Sequence, residues 1–242
     1  MKYLLLSASS ILFSLNAGAS SFTFDFTTGP SNPGSGLGNV RTFTSASGDL
    51  TVTVTAWGVT GNNNTTFQAG QLGQWSGLGL GDCDAREHVN CGSPDHQVDN
   101  AEAYDFVLFQ FDTPVVADTV TIQPYGTWDR DVTYYTGNTA NSLDLTGKTL
   151  AQLNGIGLTD RQNDDSTTSS LARMVTLSSI QGNALLFGAR VGGDNSTDYF
   201  KISGLTVEIP DGATQQATPE PAALGLIGGA LVGIGFIRRY RL

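Results

Sequence analysis

Between residues 20 and 210 the apolar positions recur with a period of two. Phe22, Phe24 and Phe26 alternate with polar neighbours, and Leu50, Val52, Val54 and Ala56 do the same in a stretch ending at Trp57. Successive side chains of a strand point to opposite faces, so this alternation predicts strands with one face buried. Further strands are expected over residues 104–112, 115–123, 131–135, 171–177, 184–191 and 199–209. Turn clusters such as Gly61-Asn62-Asn63-Asn64 and Gly192-Gly193-Asp194-Asn195 separate them. The run from Tyr104 to Phe111 is apolar on both faces, which predicts a central, buried strand. Helical spacing is nearly absent, with room for a turn or two at residues 146–154. The expected fold class is all-β: one domain over residues 20–210, an antiparallel β-sandwich or jelly roll. The strands are too few and too uneven for an outer-membrane barrel.

Both ends break this pattern. Lys2, an apolar stretch over residues 3–15 and Ala17-Gly18-Ala19 have the order of a secretory signal peptide. Residues 1–19 are therefore expected to be removed after Ala17 and Ala19 guide cleavage, leaving Ser20 first. At the other end, a flexible spacer over residues 211–217 leads to Thr218-Pro219-Glu220-Pro221. Residues 222–237 carry no charge, and Arg238, Arg239 and Arg241 follow. At about 1.5 Å per residue such a helix spans roughly 24 Å, just short of a ~30 Å hydrocarbon layer. Bilayer thinning or snorkelling arginines close the gap. The arginines place the C-terminus in the cytoplasm, so the body is exported and the precursor is anchored in the inner membrane by its tail.

The ordered triplet of Pro219-Glu220-Pro221, a short apolar helix and a terminal arginine cluster resembles the PEP-CTERM sorting signal over residues 218–242. The resemblance implies a Gram-negative source, Sec-dependent export, and handover to an exosortase, a membrane-embedded cysteine peptidase that cleaves near the motif. It further implies a cell-surface or extracellular-matrix protein with a structural or adhesive role in the envelope or exopolysaccharide layer. Two prolines stop the membrane helix from extending outward, which leaves Glu220 in accessible backbone. Gly225, Gly229 and Gly233 form a double GxxxG. That pattern fits a helix-association face, but small residues that ease the helix into and out of the peptidase explain it more simply.

Composition removes several function classes. The chain has 22 acidic and 12 basic residues and a net charge of −10, so no basic patch is available for nucleic acid. No G-x-S-x-G, H-E-x-x-H or Walker sequence is present, and the expectation is a protein without catalytic residues. Gly77-Leu78-Gly79-Leu80-Gly81 precedes an acidic cysteine segment and not a helix, which argues against phosphate binding.

One segment concentrates the unusual side chains. Cys83, His88, Cys91 and His96 are all the Cys and His of the chain, spaced C-x4-H-x2-C-x4-H. Four such residues can bind zinc, but the spacing is unfamiliar and export favours oxidation, so a Cys83–Cys91 disulfide with solvated histidines is preferred. A nucleophilic pairing of Ser93 with His88 or His96 ranks far lower. Asp82, Asp84, Glu87, Asp95, Asp99, Asn100, Glu102 and Asp105 crowd the same region, and Asp194-Asn195-Ser196-Thr197-Asp198 forms a second acidic group. Ca²⁺ takes six to eight oxygens in irregular geometry, yet neither group has a known calcium-loop spacing. Solvated acidic loops, with no metal or cofactor, are the preferred reading, and calcium is the open one. The functional alternative is a carbohydrate-binding module, calcium-assisted or not, that stacks polysaccharide on Trp57, Trp75, Tyr125 or Trp128. A glycan-active hydrolase comes last, because sequence gives no distances between carboxylates.

Overall fold

The computed structural model describes residues 19–87, 91–93, 95–193 and 196–210. The chain divides into two compact units, Met1–Asp211 and Gly212–Leu242. The second lies outside the described residues, as does residues 1–18 of the expected signal peptide; the sorting triplet and the apolar segment 222–237 fall in that second unit. No helix among the described residues is long and apolar enough to cross a membrane.

Thirteen strands build the described part. They are β1 (Ser20–Asp25), β2 (Arg41–Thr44), β3 (Thr51–Thr60), β4 (Thr66–Ala69), β5 (Gln71–Trp75), β6 (Gly79–Cys83) and β7 (Val98–Asp99). After these come β8 (Asp105–Pro124), β9 (Val132–Gly137), β10 (Leu158–Asp164), β11 (Arg173–Thr176), β12 (Gln181–Ala189) and β13 (Tyr199–Ile209). All named pairings are antiparallel, and they join into one sheet whose main path runs β10-β9-β12-β8-β13-β6-β5. The protein is thus predominantly β with one open antiparallel sheet. The two separate ladders of a jelly roll are not what the hydrogen bonds draw.

The reason lies in β8. Residues 104–112 and 115–123 are expected as two strands. They form one strand of 20 residues. Its first part pairs with β3 as far as Phe111 and its second part with β13 from Val116 onward, while β12 spans both, pairing at Val115 and Val116 and again from Gln110 back to Phe106. The β12 ladder slips between Gly182 and Ala184 beside this switch. Pro114 therefore sits where no ladder needs its missing N–H, which is how a proline is tolerated inside a strand. The strand changes partners there without ending.

Burial follows the pleat of β8. Val107, Phe109 and Phe111 enter one core together with Val52 and Val54 of β3 and Phe200, Ile202 and Leu205 of β13. Phe106 and Leu108 face the other way, into a second core with Phe67, Tyr135, Leu145 and Leu153. The apolar run on both faces is thus the central strand it was expected to be. Short 3₁₀ turns at Leu150–Gln152 and Asn154–Ile156 supply the little helix foreseen over 146–154. Asn62, Asn63 and Asn64 take positive φ (46°, 57° and 63°), a left-handed turn for which asparagine is the best-suited residue after glycine. Ser20 pairs with Ile209, so the two ends of the domain lie side by side.

Candidate functional site

The β5–β6 hairpin turns through Gly77 and Gly79, both at positive φ, and sends β6 into the interior with all five residues buried. Two residues beyond Leu80 on the same face comes Asp82, fully buried. Asp84 follows at the strand's end, Asp99 arrives on β7, and Asp105 opens β8; all three are buried, while Glu87 in the intervening loop is partly exposed. Two glycines make the room. A Cβ on Gly70 would collide with Oδ1 of Asp82, and one on Gly58 would stand 2.6 Å from Cβ of Asp84 and 3.4 Å from Oδ1 of Asp105. Gly58 pairs with Asp105 across the ladder, which fixes that carboxylate over the glycine.

Hydrogen bonds use only part of this oxygen supply. Oδ1 of Asp84 accepts the amides of Arg86 (2.6 Å) and Glu87 (3.1 Å), a local turn that shapes the loop. Oδ1 of Asp99 accepts the Ala101 amide at 2.9 Å. Both oxygens of Asp82, Oε2 of Glu87, Oδ2 of Asp99 and Oδ1 of Asp105 are buried with no hydrogen-bond partner among the described residues. Glu87, Asp99 and Asp105 each present an oxygen within 4.8 Å of the other two. None of the five acids joins an ion pair among the described residues; Arg86 reaches outward to Glu102 at 3.9 Å.

The electrostatics follow from this crowding. Burial, then the charges of Asp84, Glu87 and Asp99, hold the Asp82 carboxyl well above its ordinary range. Burial and the neighbouring acids, Asp82 first, do the same to Asp105. Burial and Asp99 push Glu87 up to about 8, and burial raises Asp99 to about 7 despite the Ala101 amide. Asp84 rises less far above its ordinary value, because the Arg86 and Glu87 amides oppose its burial.

One cation is buried nearby. Lys201 alternates with Phe200 and Ile202 along β13, a position the pattern assigns to a solvent face, yet it is almost fully buried. Its Nζ donates to the His96 carbonyl, lies 2.6 Å from His96 Nδ1, and sits 3.8 Å from the centre of the Trp75 ring. Trp75 in turn stacks on His96 at 4.4 Å. Burial lowers the lysine to about 6, with Asp99 opposing. His96 is thus a packed residue and not the solvated one expected, and its ring faces Lys201 instead of Ser93. Ser93 Oγ bonds to the Tyr125 hydroxyl at 3.1 Å. His88 lies outside the described residues.

A second acidic group, Asp129, Asp131 and Asp198, is buried in the same general region of the sheet. Here the oxygens are used. Asp198 accepts from Asn100 Nδ2 (2.7 Å) and from the amides of Asp131 (2.8 Å) and Arg190 (3.2 Å). Asp129 accepts the Arg130 amide at 2.8 Å, and Asp131 accepts the Ser166 amide. Burial still raises Asp198 to about 7. Of the acids expected in solvated loops, Asp82, Asp84, Asp99, Asp105 and Asp198 are instead buried, because β6, β7 and β8 and the approach to β13 carry them inward, while Asp194 lies outside the described residues. Glu102 alone of the first group is exposed, as expected of a loop acid.

Cys83 and Cys91 form a disulfide, with Cα atoms 5.7 Å apart, and it closes the loop that carries Glu87. Replacing Cys91 with serine is expected to cost roughly 2.5 kcal/mol by the loop-entropy model, read as a lower urea midpoint. Of the aromatics, Trp57 is buried with Nε1 donating to Thr55 Oγ1, and Trp75 is held under Lys201. Tyr125 and Trp128 remain 39% and 43% exposed, with Trp128 tilted against Tyr199 at 5.0 Å. An open groove of about 330 Å³ lies between Thr53–Trp57 and Ser142–Thr146, and Asp144 is its one carboxylate.

A family model for the PEP-CTERM protein-sorting motif matches residues 217–241. The chain carries a PEP-CTERM sorting signal. That signal implies export, a membrane-anchored precursor and an exosortase as sorting partner. The match covers the tail and leaves the β domain to be read from its own residues. No curated protein and no solved structure matches the chain.

Proposed function

We propose that the chain is an exosortase-processed surface protein whose β domain serves a structural or adhesive role in the envelope or exopolysaccharide layer, without catalysis. The observation that carries this reading is the sorting motif at residues 217–241. The domain supports it. The acids of its two clusters are mostly buried instead of lining a cleft, and the open groove offers a single carboxylate where glycoside hydrolysis needs two. Ser20 and Ile209 are ladder partners, so the signal peptide and the spacer leave the domain at one point, and both can be removed without disturbing its core. We read the domain as sandwich-like, its sheet turning at Pro114 so that both halves share the larger core.

The test is the intact mass of protein recovered from cells that hold an active exosortase. The expected mass lacks residues 1–19 and the arginine tail. A chain still ending at Leu242 would overturn the processing step. Exchange of Pro219, Glu220 and Pro221 for alanine is expected to leave the precursor in the membrane fraction.

A second reading has its own observation. Tyr125 and Trp128 are exposed aromatic rings close to Tyr199, a platform of the kind that stacks on sugar faces. Trp128→Ala is expected to abolish retention on a polysaccharide column if that platform binds glycan, and to leave it unchanged if it does not.

A further inference from the structure

An ionised carboxylate removed from water costs several kcal/mol unless it is hydrogen-bonded, paired or bound to a metal. The second acidic group meets that condition with backbone amides and Asn100. The first does not. Asp82 and Asp105 are completely enclosed, and three of their four oxygens have no partner among the described residues. Glu87 and Asp99 add one unpartnered oxygen each, and the oxygens of Glu87, Asp99 and Asp105 lie within 4.8 Å of one another. The fold invests in this arrangement: Gly58 and Gly70 lack the side chains that would fill the space, and the disulfide ties down the loop bearing Glu87.

We propose that Asp82, Glu87, Asp99 and Asp105 form a Ca²⁺ site. Among the described residues the donor set is oxygen only: both cysteines are committed to the disulfide, and the His96 ring is held by Lys201 and Trp75. Such a set selects a hard cation over zinc or copper. Carboxylates that converge from a loop and three separate strands suit the irregular coordination of calcium better than the strict octahedron of magnesium. Glu87 is the partly exposed member and forms the solvent side of the site. Asp84 is a positioning residue: its bonds to the Arg86 and Glu87 amides turn the loop so that Glu87 points back toward Asp99 and Asp105. The inference stands on the buried cluster and is independent of the sorting signal.

The test uses the full chain in detergent, stripped with a chelator and then given CaCl₂ or MgCl₂. Calcium at a hundredfold excess over its dissociation constant is expected to raise Tm by about 5–10 °C, since it binds only the folded state. Equilibrium dialysis with elemental analysis should find calcium bound, and magnesium at the same concentration should shift Tm far less. In chelator the Asp99→Asn, Asp105→Asn double variant is expected to melt no lower than wild type, because it relieves repulsion, and to lose the calcium shift. Should the double variant fail to fold, Glu87→Gln at the partly exposed position is expected to weaken binding at least tenfold. Asp198→Asn in the second group should keep the calcium shift. Three results would each overturn the site: no bound calcium in the stripped wild type, an undiminished shift in the double variant or in Glu87→Gln, or a shift lost only in Asp198→Asn.

Discussion

Truncation of Phe109 to alanine is expected to cost the domain about 3–5 kcal/mol, the range for a fully buried phenylalanine whose site cannot collapse. Phe109 is fully buried in the middle of β8 and paired with Val54 on one side and Leu185 on the other. Its ring stacks on Phe26 at 5.7 Å, and Phe26 meets Phe43 edge-on at 5.0 Å. Three strands and the residue after β1 therefore converge on one side chain. The backbone there is clamped by two ladders, so the cavity left behind stays open. Urea unfolding should show a lower midpoint with an unchanged slope. Phe109→Leu keeps most of the volume and is expected to lose less than half as much. A loss below about 1 kcal/mol in the alanine variant would mean that the ring is not packed on Phe26 in a core that resists collapse.

The same strand shows what the sequence discloses and what it hides. The two-sided apolar run from Tyr104 to Phe111 announces a central strand because a period of one leaves no solvent face. Strands β1, β3, β9, β12 and β13 were legible in the same way, from alternation over five or more positions. Strands β5 and β6 were not. Gly73, Gly79 and Gly81 blank out the alternating positions, and the segment Gly77–Gly81 reads as a loop until a hairpin is seen to hold it. The acidic site was legible as a list and illegible as a place. Nothing in the spacing of Asp82, Glu87, Asp99 and Asp105 says that strand pairing brings them together, since Gly58 and Gly70 supply the space from elsewhere in the chain. Lys201 was hidden by its own pattern: it occupies an outward position on β13, and only the Trp75–His96 stack laid over it makes that face interior. The disulfide, by contrast, needed only two cysteines, a short separation and an exported chain.

In the presence of a chelator, stability is expected to fall as pH rises from about 4 to 7. The carboxyls of Asp99 and Asp198 titrate near 7 and that of Glu87 near 8 in the folded chain, and those of Asp82 and Asp105 are also raised. In the unfolded chain all of them titrate near 4. Through this window the native state holds more protons than the unfolded state, so each such group lowers stability by up to about 1.4 kcal/mol per pH unit. Lys201 acts in the opposite sense: with a folded value near 6 against about 10.4 unfolded, the unfolded state binds the extra proton and stability rises with pH. Several carboxyls outweigh one amine through this window. Urea unfolding at intervals of one pH unit should trace that fall. Asp99→Asn and Glu87→Gln are expected to flatten it, and Lys201→Met to steepen it. A profile that climbs steadily from pH 5 to 8 would show that these carboxyls are ionised and solvated in the folded protein.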